Sequence, residues 1–211
     1  TRNYIITYIP KIPLTYAISV PGQPKENCLK TVQYFDGLGR ADQTIQVALS
    51  PLGKDIVQPI EYDQFRRETI KYLLYPGSYS DGRFISTDLT DQSAYYRNNF
   101  TSPDSLYPFA VTVFDNSPLN RVVRQGAPGY AWQPTQHPVR YSYTTNITND
   151  VRLWTVNNNN SISTSGCYLP GKLYKTIIKD ENWAPASAPD SLLYTTEEYK
   201  DFSGNVLLKR A

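Results

Sequence analysis

The chain of 211 residues has no methionine, a single histidine and two cysteines, and each scarcity removes a class of chemistry. His137 alone provides no pair of imidazoles, and it sits between prolines in QPTQHPVR with no Gly-x-Ser-x-Gly elbow anywhere, so it reads as a loop residue. Cys28 and Cys167 are too few for a disulfide framework or a zinc site, which leaves one bridge and two separate thiols equally open. No apolar run approaches the roughly 18 residues of a membrane span. The net charge is only +2, with lysine and arginine scattered, so the concentrated basic footprint of a nucleic-acid binder is missing. There is no alternating-aspartate calcium loop, no metal-triad spacing and no glycine loop cradling a phosphate, and no cofactor is expected. Glu61, Glu68, Glu181, Glu197 and Glu198 include no pair that stands out for glycoside hydrolysis. The start, TRNYIITYIP, lacks a charged-then-apolar leader layout, as expected of a mature or trimmed piece.

What the chain has instead is tyrosine, 18 of them, with 16 prolines and 11 glycines as punctuation. Tyrosine, threonine and valine favour pleated strands, so the expectation is an all-β fold of antiparallel strands and hairpins with little helix. Prolines at 10, 13, 21 and 24 confine residues 1–30 to an arm or edge strand, followed by one hairpin-rich domain over residues 31–211. Asp88 to Phe100 is the one stretch that reads as a short polar helix, capped by Asp88 or Thr90. Asn157 to Asn160 reads as an exposed hairpin tip. QGAPGYAWQP, Gln125 to Pro134, reads as a rigid turn plugged by Trp132. Val139, Tyr141 and Tyr143 alternate onto one face of a strand. The glycosylation patterns at Asn99, Asn146 and Asn159 are expected by chance in so asparagine-rich a chain.

The most informative string is VQYFDGLGRADQTIQ, Val32 to Gln46. Tyr34 and its neighbours alternate as a strand, and the Asp36 carboxylate bonds backbone NH groups two residues on. Gly39 supplies the left-handed residue that closes the hairpin, and Arg40 opens the return strand, over the entering ring or paired with Asp36. Worn versions recur. One keeps Tyr62, Asp63 and Arg67 but puts Arg66 where glycine is expected, which predicts a change of turn type there. Another keeps Phe114, Asp115 and Arg121 around a longer loop with Asn120 before the arginine. A third keeps Tyr199, Asp201 and Gly204, with Asn205 replacing the arginine. Spacing in the twenties or near twice that suits a repeat of two or three short strands.

These strings resemble the tyrosine–aspartate (YD) repeat of bacterial RHS proteins. In the order YFDGLGR, IEYDQFRRE, FDNSPLNRVVRQGAPGYAWQP, LYKTIIKDENW and EEYKDFSGNVLLKR, the chain is similar to the N-terminal domain of unknown function that precedes those repeats. The resemblance implies a non-enzymatic structural module on the N-terminal side of a β shell that can enclose a C-terminal, often toxic, domain. Its implied partners are the remainder of the same polypeptide, and its implied location is secreted or at the cell surface. A reading from a different class is a surface module that binds carbohydrate or protein through exposed rings, with Tyr130, Trp132, Trp154 and Trp183 as its candidates.

Overall fold

The computed structural model describes residues 2–16, 20–184 and 192–211. Strand accounts for 39% and helix for 10%, so the chain is all-β, built of antiparallel sheets. It packs as two compact units: Thr1–Val111 with Ala127–Gln133, and Thr112–Gly126 with Pro134–Ala211.

In the first unit, strands β1 (Asn3–Pro10), β2 (Cys28–Phe35), β3 (Ala41–Gln46), β4 (Ile56–Pro59) and β6 (Tyr75–Pro76) form one sheet in the order β1-β2-β3-β4-β6. Strand β5 (Ile70–Tyr72) pairs instead with residues 109–111, at the start of β7 (Phe109–Phe114). β1 pairs with β2 along its whole length, Asn3 opposite Phe35 and Pro10 opposite Cys28. The boundary expected at residue 30 therefore falls inside a strand, because β2 begins at Cys28. β1 lies at the edge of the sheet, where proline costs no ladder bond.

Period-2 alternation places Val32, Tyr34, Ile45, Val57 and Tyr75 in one core cluster with Ile85. Burying such a side chain contributes on the order of 1.5–3 kcal/mol, so a cluster this size needs all its strands at once. Polar staples complete the core. Gln43 is fully buried, its amide donating to the Ile85 carbonyl and accepting the Ile85 NH. Asp55, also fully buried, accepts the NH groups of Ala48 and Gly82, each at 2.8 Å. The helix α1 spans Asp88–Asn99, and its N-cap is Thr87, one residue before the expected Asp88 and three before the expected Thr90. Asp88 instead turns its carboxylate to the Leu89 NH and to Gln43. Gln92 anchors the helix from beneath by donating to the Pro108 carbonyl at 2.8 Å.

In the second unit the sheet order is β14-β13-β12-β9-β8, where β8 is Val122–Gly126, β9 Val139–Thr145, β12 Tyr174–Lys179, β13 Thr195–Lys200 and β14 Val206–Arg210. A separate two-stranded ribbon joins β10 (Arg152–Val156) to β11 (Ile162–Cys167). Its core is small: Val151, Leu173 and Tyr199. Beside it lies a buried ion cluster, in which Glu197 accepts Lys175 at 2.8 Å, Arg210 at 3.3 Å and the Tyr199 hydroxyl at 3.0 Å. Burial pulls the Lys175 ammonium down, but its hydrogen bonds to Glu197 and Tyr199 outweigh that and hold it above the ordinary lysine range. Asn146 is buried as well; it accepts the Leu173 NH at 2.8 Å and donates to the Leu169 carbonyl, so its amide is a staple and unavailable to a glycan.

Gly82 tests how tightly the first core closes. Its φ is +81°, and an added Cβ would meet Val47 Cγ2 at 2.7 Å and Val32 Cγ2 at 2.9 Å. Gly82→Ala is expected to destabilise the protein by about 1–3 kcal/mol in chemical denaturation, since both valines belong to packed strands. An unchanged midpoint would mean the segment around residue 82 does not pack as described.

Candidate functional site

The turn strings fold into one geometry. Asp36 donates its NH to the Arg40 carbonyl at 2.9 Å, and the Gly39 NH donates back to the Asp36 carbonyl at 3.1 Å. Inside this loop the carboxylate is saturated. Oδ1 accepts the NH groups of Leu38 (2.8 Å) and Arg40 (2.9 Å), and Oδ2 accepts Arg40 Nε (2.8 Å) and Nη2 (2.6 Å). The turn needs a left-handed residue at its fourth position, and Gly39 supplies it at φ 77°.

Asp63 repeats this with Phe65 NH (2.8 Å), Arg67 NH (2.9 Å) and Arg67 Nε (2.8 Å). The expected change of turn type at Arg66 does not occur: Arg66 takes φ 66° and its NH closes the same bond to Asp63 at 2.8 Å. The carboxylate bonds over-determine the loop and hold a side chain where glycine would be unstrained. At Asp115 two extra residues are absorbed. Asp115 still donates its NH to the Arg121 carbonyl and accepts the Arg121 NH and Nε on its carboxylate, Asn120 takes φ 49°, and Ser117 adds its hydroxyl to the carboxylate. At Asp201, Gly204 has φ 90° and the Asn205 amide reaches Oδ2 at 2.9 Å, the place a guanidinium occupies elsewhere.

All four carboxyls are held below the ordinary aspartate range. The Arg40 NH is the leading cause at Asp36. At Asp63 burial pushes the other way but is outweighed by the NH and guanidinium of Arg67. The Arg121 side chain leads at Asp115, and the Asn205 side-chain amide at Asp201.

Three further turns use the same device without carrying the string. Ser50 to Lys54 closes around Gly53 (φ 69°), with the Ser50 hydroxyl accepting the Lys54 NH at 2.7 Å. Asn157 to Ser161 closes around Asn160 (φ 60°) at an exposed tip. Asp180 opens in the same way toward Asn182 and Trp183 and donates its NH to the Tyr194 carbonyl. For the first two the signal in the sequence was a short polar residue three positions before a glycine or asparagine, with no aromatic or arginine to single it out; the turn at Asp180 has Trp183 at that position.

The arginines do a second job. Arg40 and Arg121 each pair with their own aspartate, yet the ring each lies over comes from a later strand or connection; Arg67 pairs with Asp63 and lies over Phe65 of its own turn, at 5.0 Å. Arg40 sits 4.3 Å from the centroid of Tyr62, whose hydroxyl donates to the Ala41 carbonyl at 2.9 Å. Arg121 sits 4.8 Å from Tyr143, whose hydroxyl donates to the Val122 carbonyl, also at 2.9 Å. In both, the tyrosine covers the guanidinium and bonds the carbonyl one residue beyond it. Tyr62 thus serves the preceding turn, not the one its sequence neighbours suggest. Parity explains the rest: Tyr34 and Tyr199 stand two residues before their aspartates and point into the cores, whereas Tyr62 and Phe114 stand one before.

Of the candidate binding rings, Tyr130 (46% exposed), Trp132 (42%) and Trp154 (58%) are open to solvent. Trp183 is half-buried, with Lys179 Nζ 3.6 Å from its ring and Arg140 at 5.5 Å. Tyr130 and Trp132 belong to the first unit, Trp154 and Trp183 to the second. The expected plug of the Gln125–Pro134 loop is not Trp132. Gln133 takes that place, 6% exposed, its two amide hydrogens shared among the inward carbonyls of Phe109, Ala127 and Gly129, which an indole with its single N–H could not serve. Trp132 is turned outward and lines a cleft of about 320 Å³ with Tyr96, Phe100, Tyr107 and Pro108.

A second cavity of the first unit, about 350 Å³, gathers Asp36, Asp42, Glu61 and Asp88 with Arg2 and Arg40. Its carboxylates are engaged: Asp42 with Arg2, Asp36 with Arg40, and Glu61 with the Tyr72 hydroxyl at 2.8 Å. Burial pushes the Asp88 carboxyl above its usual range. Among the described residues no group of three or more His, Cys, Asp or Glu is placed to hold a metal ion. His137 lies exposed in its loop, and Cys28 and Cys167 are free thiols.

Fold and site together define an all-β protein whose hairpins are closed by carboxylate-locked turns. Residues 6–145 match the family model described as a domain of unknown function, DUF6443, and at about two thirds of the chain this makes the protein a member of that family. No curated protein matches it. The match takes in the turns at Asp36, Asp63 and Asp115 and the cleft around Trp132; the turn at Asp201 lies beyond it.

Arg66 gives the sharpest local test of the lock. Arg66→Gly is expected to raise unfolding stability by roughly 0.5–1 kcal/mol, removing the left-handed strain while adding some unfolded-state entropy. A loss of stability in denaturant titration would contradict a left-handed residue at that position.

Proposed function

We propose that this protein is a non-enzymatic structural module on the N-terminal side of an RHS/YD-repeat β shell, secreted or displayed at the cell surface, that helps enclose a C-terminal domain of the same polypeptide. The observation that carries the reading is the recurrence of one turn lock, whose arginine at Asp36 and Asp115 is covered by a tyrosine that arrives later in the chain. Such a link ties one hairpin to its successor, which is what a shell of stacked hairpins needs, since a lone hairpin cannot bury its apolar face. The turn aspartates spend their oxygens on backbone NH groups and arginine, which leaves them ill-suited to proton transfer.

The unpaired side of β14 adds support. It is the edge of its sheet, and an edge strand offers backbone NH and carbonyl groups of the kind a following strand would pair. The competing reading, a surface module binding carbohydrate or protein, draws on the outward rings of Tyr130, Trp132 and Trp154.

Hydrogen–deuterium exchange separates the two. In the natural full-length polypeptide the amides of Val206–Arg210 are expected to exchange markedly more slowly than in this chain alone, because a downstream strand pairs with β14. Equal exchange in both would overturn the shell reading.

A further inference from the structure

Several rings in this protein have one of its own cations above them. Arg2 lies 4.0 Å from Phe84, Arg83 4.4 Å from Tyr79 and Lys179 3.6 Å from Trp183, beside the Arg40–Tyr62 and Arg121–Tyr143 pairs. The cleft of the first unit gathers rings that have no such partner. Tyr96, Phe100, Tyr107 and Trp132 line it, and no described lysine or arginine lies over any of these four rings. No basic side chain lines the cleft, and its one charged group is the carboxylate of Asp104.

We propose that this cleft binds an alkylated ammonium group of the choline type. Aromatic faces carry a negative quadrupole that attracts a cation, and the attraction grows where the cation sheds little hydration, as a trimethylammonium does and a lysine ammonium does not. A net negative, ring-lined space of about 320 Å³ that the protein's own cations leave open suits that ligand in charge and chemistry and is large enough to admit it. Tyr96 and Phe100 stack on each other at 5.5 Å to form one wall.

Hydrogen bonding favours this ligand over a sugar. Asp104 Oδ1 already accepts the Tyr130 NH at 2.8 Å, Oδ2 accepts the Ser102 hydroxyl at 3.1 Å, and the Tyr96 hydroxyl donates to the Leu74 carbonyl at 2.8 Å. A sugar brings several hydroxyls that each need a partner when desolvated, whereas a trimethylammonium brings none. The loop is built for the site to persist: Gly129, at φ +103°, brings its backbone so close that an added Cβ would stand 3.1 Å from Asp104 and 3.3 Å from Trp132. The assignment rests on the cleft alone and is independent of the shell reading.

The test is calorimetric titration of the whole chain with choline, and in parallel with 3,3-dimethyl-1-butanol, its uncharged isostere. Choline is expected to bind saturably with a dissociation constant on the order of millimolar, and the isostere about tenfold more weakly or less. Trp132→Ala and Phe100→Ala are each expected to weaken choline by about tenfold while circular dichroism and melting temperature are retained. Asp104→Asn keeps an acceptor for the Tyr130 NH, removes the charge and weakens choline severalfold; Trp154→Ala leaves it unchanged. Co-sedimentation with phosphatidylcholine but not phosphatidylglycerol vesicles assigns the source as a lipid headgroup, and choline binding without co-sedimentation assigns a free ligand. The proposal is overturned if choline shows no saturable binding, if the isostere binds equally well, or if folded Trp132→Ala and Phe100→Ala both bind as the parent does.

Discussion

A carboxylate that closes a hairpin from the inside is the interaction on which this protein rests. Each turn aspartate gathers two backbone NH groups, and usually a guanidinium, into a loop that would otherwise expose them unpaired. At Asp36 and Asp115 the carboxylate directly follows one strand and its arginine directly precedes the next, so one interaction fixes the loop and the point where the return strand starts. The tyrosine laid over that guanidinium then carries the constraint to the next part of the chain.

Local locking of this kind compensates for small cores. The first unit buries a modest apolar cluster, and the second buries still less around Val151, Leu173 and Tyr199. Side-chain amides and carboxylates bonded to backbone fill the remaining interior: Gln43, Asp55, Gln92, Gln133 and Asn146 each replace a missing ladder bond where strands give way to irregular chain. Such staples are directional, so they specify one arrangement where apolar contacts alone would tolerate several.

Much of this was legible in residue order. Alternation around Tyr34 and Tyr143, the Asp-x-x-Gly-Arg string and the polar stretch after Asp88 each predict the element that forms there, because strand parity, turn chemistry and capping are local properties. The staples were not legible. Gln43, Gln92 and Asn146 are ordinary polar letters until the chain folds over them, and their partners lie 42, 16 and 27 residues away. Arg66 misled for a related reason: its intrinsic preference argues against φ 66°, but the bonds around Asp63 outweigh it. Trp132 misled through composition, since a tryptophan among glycines and prolines suggests a plug, while the inward carbonyls are served by the amide hydrogens of Gln133. The ring pattern of the cleft was equally hidden, because Tyr96, Tyr107 and Trp132 meet only in three dimensions.

Carboxyl titration by NMR measures the lock itself. A folded-state pKa depressed below the unfolded value contributes stability above the unfolded pKa and loses it as pH falls through the folded one, so the turns strengthen the fold at neutral pH and release it in acid. The account predicts that Asp36, Asp63, Asp115 and Asp201 all titrate below the ordinary aspartate value of about 3.9 in the folded protein. Four ordinary titrations would show carboxylates free in solvent, and the hairpins would have to be held by something else.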